Sequence, residues 1–249
     1  MPHDFDFDAL ATIAAHSEGI AAAAEGNLDA PVEHCPEWDV AALLEHLINV
    51  HWFWATIASE RLQEPPSEER RPAAPPRDEL VQAFMAGSHR LVDVLGAADQ
   101  STPVWTWAPA QHDIAFITRH QVQEAAVHHF DASNAAGRRL VIEEPVARDS
   151  IEEFLTFSVA SEDDPASPAP PRLDGRLVLQ CANAGPAWMI SDAATEGALR
   201  IAHGADEGVP TITGSASDLL LWLYRRVELE VSHVPPKLIE RFRLFWFTD

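Results

Sequence analysis

The chain has 249 residues, 47% of them hydrophobic, enough for one large folded domain or two ordinary ones. Its formal net charge of -22, with Lys237 as the only lysine, argues against nucleic acid or an anionic membrane surface as a partner. No apolar run reaches the roughly 18 residues of a membrane span, and the first residues lack the basic start of a signal peptide, so we expect a cytoplasmic protein.

Four helices are predicted in the first half of the chain. Asp39 is a typical N-cap for the second helix, and five prolines between residues 65 and 76 end it. Gly137 is in the usual position after the last turn of the fourth helix. The predicted helices cover residues 5–25, 39–64, 77–95 and 116–136. Four helices joined by loops predict a bundle.

The second half of the chain has a different pattern, which predicts a smaller α+β domain. The runs RLVLQC, AWMIS, ALRIAHG and PTITGS suit short antiparallel strands. Helices are predicted over 150–160, over 218–226 and from Pro235, with a further strand over 228–232. The segment EDDPASPAPP is rich in turn-forming residues and marks a connection. We predict an α+β protein with a four-helix bundle over 1–145 and a second domain over 146–249.

The fourth predicted helix carries ionisable residues on the face that should be apolar. At about 100° per residue, one arc contains Phe116, Ile117, His120, Glu124, Val127, His128 and Asp131. A buried carboxylate without a partner costs several kcal/mol, so Glu124 needs a partner. On the second helix, His46 lies on the apolar stripe and faces the bundle interior, whereas His51 points away.

A metal ion would explain these inward-facing groups. The only cysteines, Cys35 and Cys181, are too far apart in sequence for a CxxC site, so any metal must be held by histidines and carboxylates. Glu124 and His128, at positions i and i+4, can bind one ion together with His46, which leaves an open coordination position. Zinc suits this set best, and nickel, iron and manganese stay possible. The alternative is that the histidines are ordinary core residues and Glu124 with His128 only a helix pair.

Other residues have candidate roles around this site. Asp131 or His120 is predicted to orient the metal ligands by hydrogen bonds. Trp105 and Trp107 either line a pocket or simply pack. Arg225 and Arg226 are candidates to bind an anionic substrate, or they neutralise neighbouring carboxylates.

Two segments of the sequence, CPEWDVAALLEHL and RHQVQEAAVHHFDA, resemble the mycothiol-dependent maleylpyruvate isomerase family. The second half, with AWMIS and TITGSASDLLLWLYRRV, resembles the sterol-carrier-protein-like domain that follows the bundle in that family. The resemblance implies a DinB-like bundle that binds zinc through His46, Glu124 and His128. It also implies mycothiol as a co-substrate.

The resemblance implies an isomerase or transferase that uses mycothiol thiolate on a small electrophilic or anionic substrate. The residues alone do not distinguish thiol from water at the open metal position. A metal-dependent hydrolase, with His120 or Asp131 as general base, is therefore the first alternative. A noncatalytic protein that binds a metal or small ligand is the second.

Overall fold

A computed structural model describes residues 5–159, 170–183, 185–195 and 197–246. It divides the chain into two compact units, the first running to Ile142 and the second beginning at Glu143. Most of the turn-rich segment EDDPASPAPP lies outside the described residues.

The first unit contains the four predicted helices, α1 (Ala9–Ala24), α2 (Val40–Glu60), α3 (Leu80–Ala97) and α4 (Ile114–Ala135). Helices α1, α2 and α4 each begin after an aspartate in extended conformation whose carboxylate accepts a hydrogen bond from a first-turn backbone N–H. These caps, Asp8, Asp39 and Asp113, satisfy donors that no helical carbonyl can reach. Arg61 ends α2 in the left-handed region, and Gly137 follows α4 with φ of +69°.

The helices pack in a square, with α1 beside α3 and α4, and α2 beside the same two helices. Of these four neighbouring pairs, α2 and α4 make the least extensive contact. Leu43, Leu44 and Leu47 from α2 and Phe84 from α3 form part of a fully buried core. The α2–α4 pair is therefore the one held least by direct helix-to-helix packing.

The second unit combines three helices with one four-stranded sheet in the described part of the chain. The helices are α5 (Glu144–Phe154), α6 (Ala216–Leu223) and α7 (Pro236–Phe242), and the strands are β1 (Arg176–Cys181), β2 (Ala187–Asp192), β3 (Leu199–His203) and β4 (Thr211–Gly214). The strand order is β3-β2-β1-β4. The α+β fold class, with a helical bundle before a smaller mixed part, is confirmed.

Three local predictions for this unit were wrong. The sheet is not wholly antiparallel, because β4 pairs with β1 in parallel. The expected strand over 228–232 is absent. The backbone N–H of Ser232 donates to the Glu230 carboxylate in a local turn, so it is not available to pair with a neighbouring strand. The helix expected over 150–160 begins earlier, at Glu144, with Pro145 in its first turn, and continues as a π-helical turn over Leu155–Val159.

Within the described ranges, no helix has both the length and the apolar character needed to cross a membrane.

Candidate metal centre

Helices α2 and α4 bring the three predicted ligands together. Nε2 of His46 lies 3.0 Å from Oε1 of Glu124, and Nε2 of His128 lies 3.5 Å from the same oxygen. One ligand atom from each of the three residues lies within 4.8 Å of the other two. Glu124 and His128 are one turn apart on α4, which places both side chains on the face towards His46.

The cluster is open to solvent on the side of His46 and Glu124. Their side chains are 25% and 17% exposed, whereas that of His128 is 4% exposed. The cluster is therefore partly accessible from solvent through His46 and Glu124, and His128 lies beneath the surface.

Asp131 fixes the orientation of the His128 ring. Its Oδ2 lies 3.0 Å from Nδ1 of His128, and both residues are buried. A carboxylate at Nδ1 favours the tautomer that carries its proton there, so Nε2 keeps a lone pair for a metal. The donor set and its orientation fit a divalent ion held by His46, Glu124 and His128.

The charges of the cluster balance one another in the metal-free protein. Burial alone would lower the pKa of His128, but the carboxylates of Glu124 and Asp131 outweigh burial and raise it to about 9. Burial alone would raise the pKa of Glu124, but His128 and His46 hold it well below its usual range. At neutral pH, an imidazolium and a carboxylate therefore occupy the position in which a cation would bind.

Trp38 packs against the two histidines and was not among the predicted site residues. Its ring centroid lies 4.9 Å from that of His46 and 6.3 Å from that of His128. Backbone hydrogen bonds from Trp38 N–H to the Cys35 carbonyl and from Val32 N–H to the Trp38 carbonyl fold the preceding loop against α2. The position of Trp38 next to the Asp39 cap was the available signal, because the cap fixes where the loop enters the helix.

His120 lies on the same side of α4, one turn before Glu124, among aromatic rings. Its ring stacks on Phe116 at 5.6 Å and meets the edges of Trp54 and Trp107 at 6.0 and 5.2 Å. Its predicted roles, in orienting a ligand or as a general base, stay predictions.

Arg225 and Arg226 belong to the second unit, after α6. Arg225 has φ of +60° and donates from its guanidinium to the carbonyl of Arg243. Arg226 is buried and donates to the carbonyl of Tyr224. Their predicted role in binding an anionic substrate stays a prediction.

The prediction that His51 points away from the bundle interior was wrong. The side chain is buried, with its ring stacked on Phe84 of α3 at 5.3 Å. Helix α3 can cover this side of α2 because it has Gly87 there, where a Cβ would lie 3.3 Å from Nδ1 of His51. Burial lowers the pKa of His51 to about 4, although the charge of Glu124 and the Phe84 backbone act in the opposite direction.

These features define a helical-bundle protein with an open cluster of two histidines and one glutamate between two helices. The model of one family, the mycothiol maleylpyruvate isomerase N-terminal domain, matches residues 9–133, which is half of the chain. The chain therefore belongs to this family, as its sequence motifs predicted. The matched region includes His46, Glu124 and His128. No curated protein and no solved structure matches the chain.

Proposed function

We propose that the protein is a metal-dependent enzyme that uses a low-molecular-weight thiol, mycothiol, in an isomerase or transferase reaction. Membership in the mycothiol maleylpyruvate isomerase family supports the thiol. The observation that carries the metal is the convergence of ligand atoms from His46, Glu124 and His128 within 4.8 Å. Two histidines and one carboxylate favour zinc among the common divalent ions.

In this proposal the protein contributes a preorganised site. His46 and His128 donate through Nε2 and Glu124 through its carboxylate, while Asp131 keeps Nδ1 of His128 protonated. When bound, a divalent metal lowers the pKa of a thiol at the open position, so that thiolate predominates at neutral pH. His46 and Glu124 are partly exposed, as access of a thiol requires, and the Trp38 ring packs against His46.

Metal content is the first test of this proposal. We expect one equivalent of zinc in the purified protein and its loss in His46→Ala, Glu124→Gln and His128→Ala, measured by elemental analysis after dialysis. Glu45→Gln, an exposed neighbour of His46 on α2, is the matched control and should keep its metal. Full metal content in any one of the three variants would remove that residue from the proposed site.

Thiol dependence is the second test. Turnover of maleylpyruvate and of a panel of small electrophiles is measured with and without mycothiol on protein of known metal content. We expect turnover only when the thiol is present. Equal turnover without thiol would instead indicate a hydrolase, and stoichiometric metal without any turnover would indicate a noncatalytic binding protein.

A further inference from the structure

An aromatic surface continues the stripe of metal ligands along α2 and α4. We call this group the aromatic wall; it consists of Phe53, Trp54, Trp105, Trp107, Phe116 and His120. His120 precedes Glu124 by four residues of α4, about 6 Å along the helix axis. The ring of Trp54 on α2 contacts Phe116 and His120 on α4, with centroid distances of 6.2 and 6.0 Å. The aromatic wall therefore lies at the same helix interface as the ligand cluster.

The aromatic wall is only partly buried. Trp54 and Phe116 are buried, but Phe53, Trp105 and His120 keep partial exposure and Trp107 is 40% exposed. A tryptophan side chain used only for packing gains most when it is fully covered. The exposed part of Trp107 is therefore apolar surface that remains available, in contact with His120 one helical turn from Glu124.

The loop that carries Trp105 and Trp107 is fixed at its base. Pro103 and Asp113 form an isolated β-bridge, and Val104 N–H donates to the carbonyl of His112. Trp105 N–H donates to the carbonyl of Leu62, just after α2, at 2.7 Å. Trp107 then packs edge-on against Phe116, with ring centroids 5.1 Å apart. These contacts hold the aromatic wall in place without a ligand, which lowers the entropic cost of binding one.

The chemistry of the aromatic wall suits a flat, conjugated group. Several of its rings pack on one another, and a π-face binds another planar π-system in stacked or edge-on geometry. The contact between α2 and α4 is the least extensive of the four neighbouring helix pairs in the bundle. A planar group attached to a reacting carbon could lie there, with the reacting carbon towards Glu124.

We propose that the aromatic wall determines substrate specificity and that the preferred electrophile carries an aromatic or extended conjugated group. This inference rests on the proposed thiol-dependent function and names its substrate class. Trp107 is the specificity-determining residue that can be changed with least damage to the fold, because it lies on a loop and is partly exposed.

Two electrophiles of different shape test the inference. With 1-chloro-2,4-dinitrobenzene, the thiol sulfur forms a bond to the ring carbon, the carbon–chlorine bond breaks, chloride leaves with the bonding pair, and the thiol proton goes to solvent. Chloroacetamide undergoes the same displacement without an aromatic ring. We expect Trp107→Ala to raise KM for the aromatic electrophile about tenfold with kcat little changed, and to leave KM for chloroacetamide unchanged.

Trp107→Phe should restore most of the lost affinity, because it keeps a π-face. Val141→Ala truncates another exposed hydrophobic side chain of the first unit and serves as the matched control, with both KM values unchanged. Equal shifts of KM for the two electrophiles in Trp107→Ala, or no shift for either, would overturn the inference.

A direct binding measurement separates this inference from the proposed function. Calorimetric titration with 2,4-dinitrophenol is carried out on metal-loaded and metal-free protein. We expect Trp107→Ala to weaken binding about tenfold in both forms. Trp107-dependent binding without thiol-dependent turnover would refute the proposed function and keep the aromatic wall as a binding site. Turnover with dinitrophenol binding that is independent of Trp107 would refute the aromatic wall alone.

Discussion

Helix α2 presents a histidine to each of its two neighbours in the bundle, and the two interfaces differ in chemistry. Towards α4, His46 meets Glu124 and His128, and Asp131 completes the polar contacts of His128. Towards α3, His51 lies on Phe84, and its Nδ1 has no hydrogen-bond partner in the described part of the chain.

His128 and His51 are equally buried, at 3% exposure, but their pKa values move in opposite directions. Carboxylates raise the pKa of His128 to about 9, whereas burial lowers that of His51 to about 4. Burial therefore does not distinguish a histidine of the proposed metal site from a packing histidine in this bundle. The presence of carboxylates at hydrogen-bond distance from the ring does.

The largest expected effect concerns His51 and acid stability. Unfolded His51 takes up a proton near pH 6.5, but the folded residue resists protonation until about pH 4. Stability is therefore lost as pH falls through this window, by about 3 kcal/mol for the full shift. In His51→Leu, the free energy of unfolding should lose this part of its pH dependence, as measured by urea denaturation between pH 4.5 and 7.5.

His89→Gln is the control for that experiment. His89 is an exposed residue of α3, the helix that covers His51. Its removal should leave the acid dependence of the wild-type protein intact. Parallel curves for wild type and His51→Leu would contradict the assignment of the acid sensitivity to His51.

The second expected effect concerns His128 and metal uptake. Below pH 9 the metal-free ring carries a proton that the metal must displace from Nε2, so affinity rises with pH. Between pH 6 and 8 we expect zinc affinity to rise about 100-fold, one proton being released per ion, measured by competition with a chelator of known pH dependence. His51→Leu should keep this dependence, and an affinity that does not change with pH would contradict it.

His128 also has the opposite effect to His51 on the stability of the metal-free protein. Its folded pKa lies above the unfolded value, so its stabilising contribution is complete below pH 6.5 and is lost as pH rises through about 9. Loss of stability on the alkaline side should therefore remain in His51→Leu and be absent in His128→Ala.

Much of the bundle could be predicted from sequence because the signals are local. Asp39 and Gly137 mark helix ends by hydrogen bonds and backbone conformation within a few residues, and the structure places these ends within a few residues of the predictions. The stripe on α4 depends only on helical periodicity, so the approach of Glu124 to His128 also followed from the sequence.

Three features that were missed or wrongly predicted depend on contacts outside the helix or strand that carries them. The alternation of apolar and polar residues in β4 predicts a strand but not whether it runs parallel to its neighbour. That depends on how the chain crosses from β3, at one edge of the sheet, to β4 at the other. The burial of His51 depends on Gly87, 36 residues later, which lets α3 approach closely. The contact of Trp38 with His46 depends on the hydrogen bonds of a loop that has no regular periodicity.

The smallest expected effect would make the surroundings of His128 more like those of His51. Asp131→Asn removes the charge at Nδ1 but keeps a side chain of similar size, so the ring loses its electrostatic support and its fixed tautomer. We expect zinc affinity to fall about 30-fold, within the range typical for the loss of a partner that orients a ligand, while the fold is kept. Chelator competition measures the affinity, and Asp93→Asn, an exposed site on α3, is the control. Unchanged affinity in Asp131→Asn would mean that Glu124 and the two imidazoles are sufficient, and that the carboxylate of Asp131 stabilises the fold rather than the metal site.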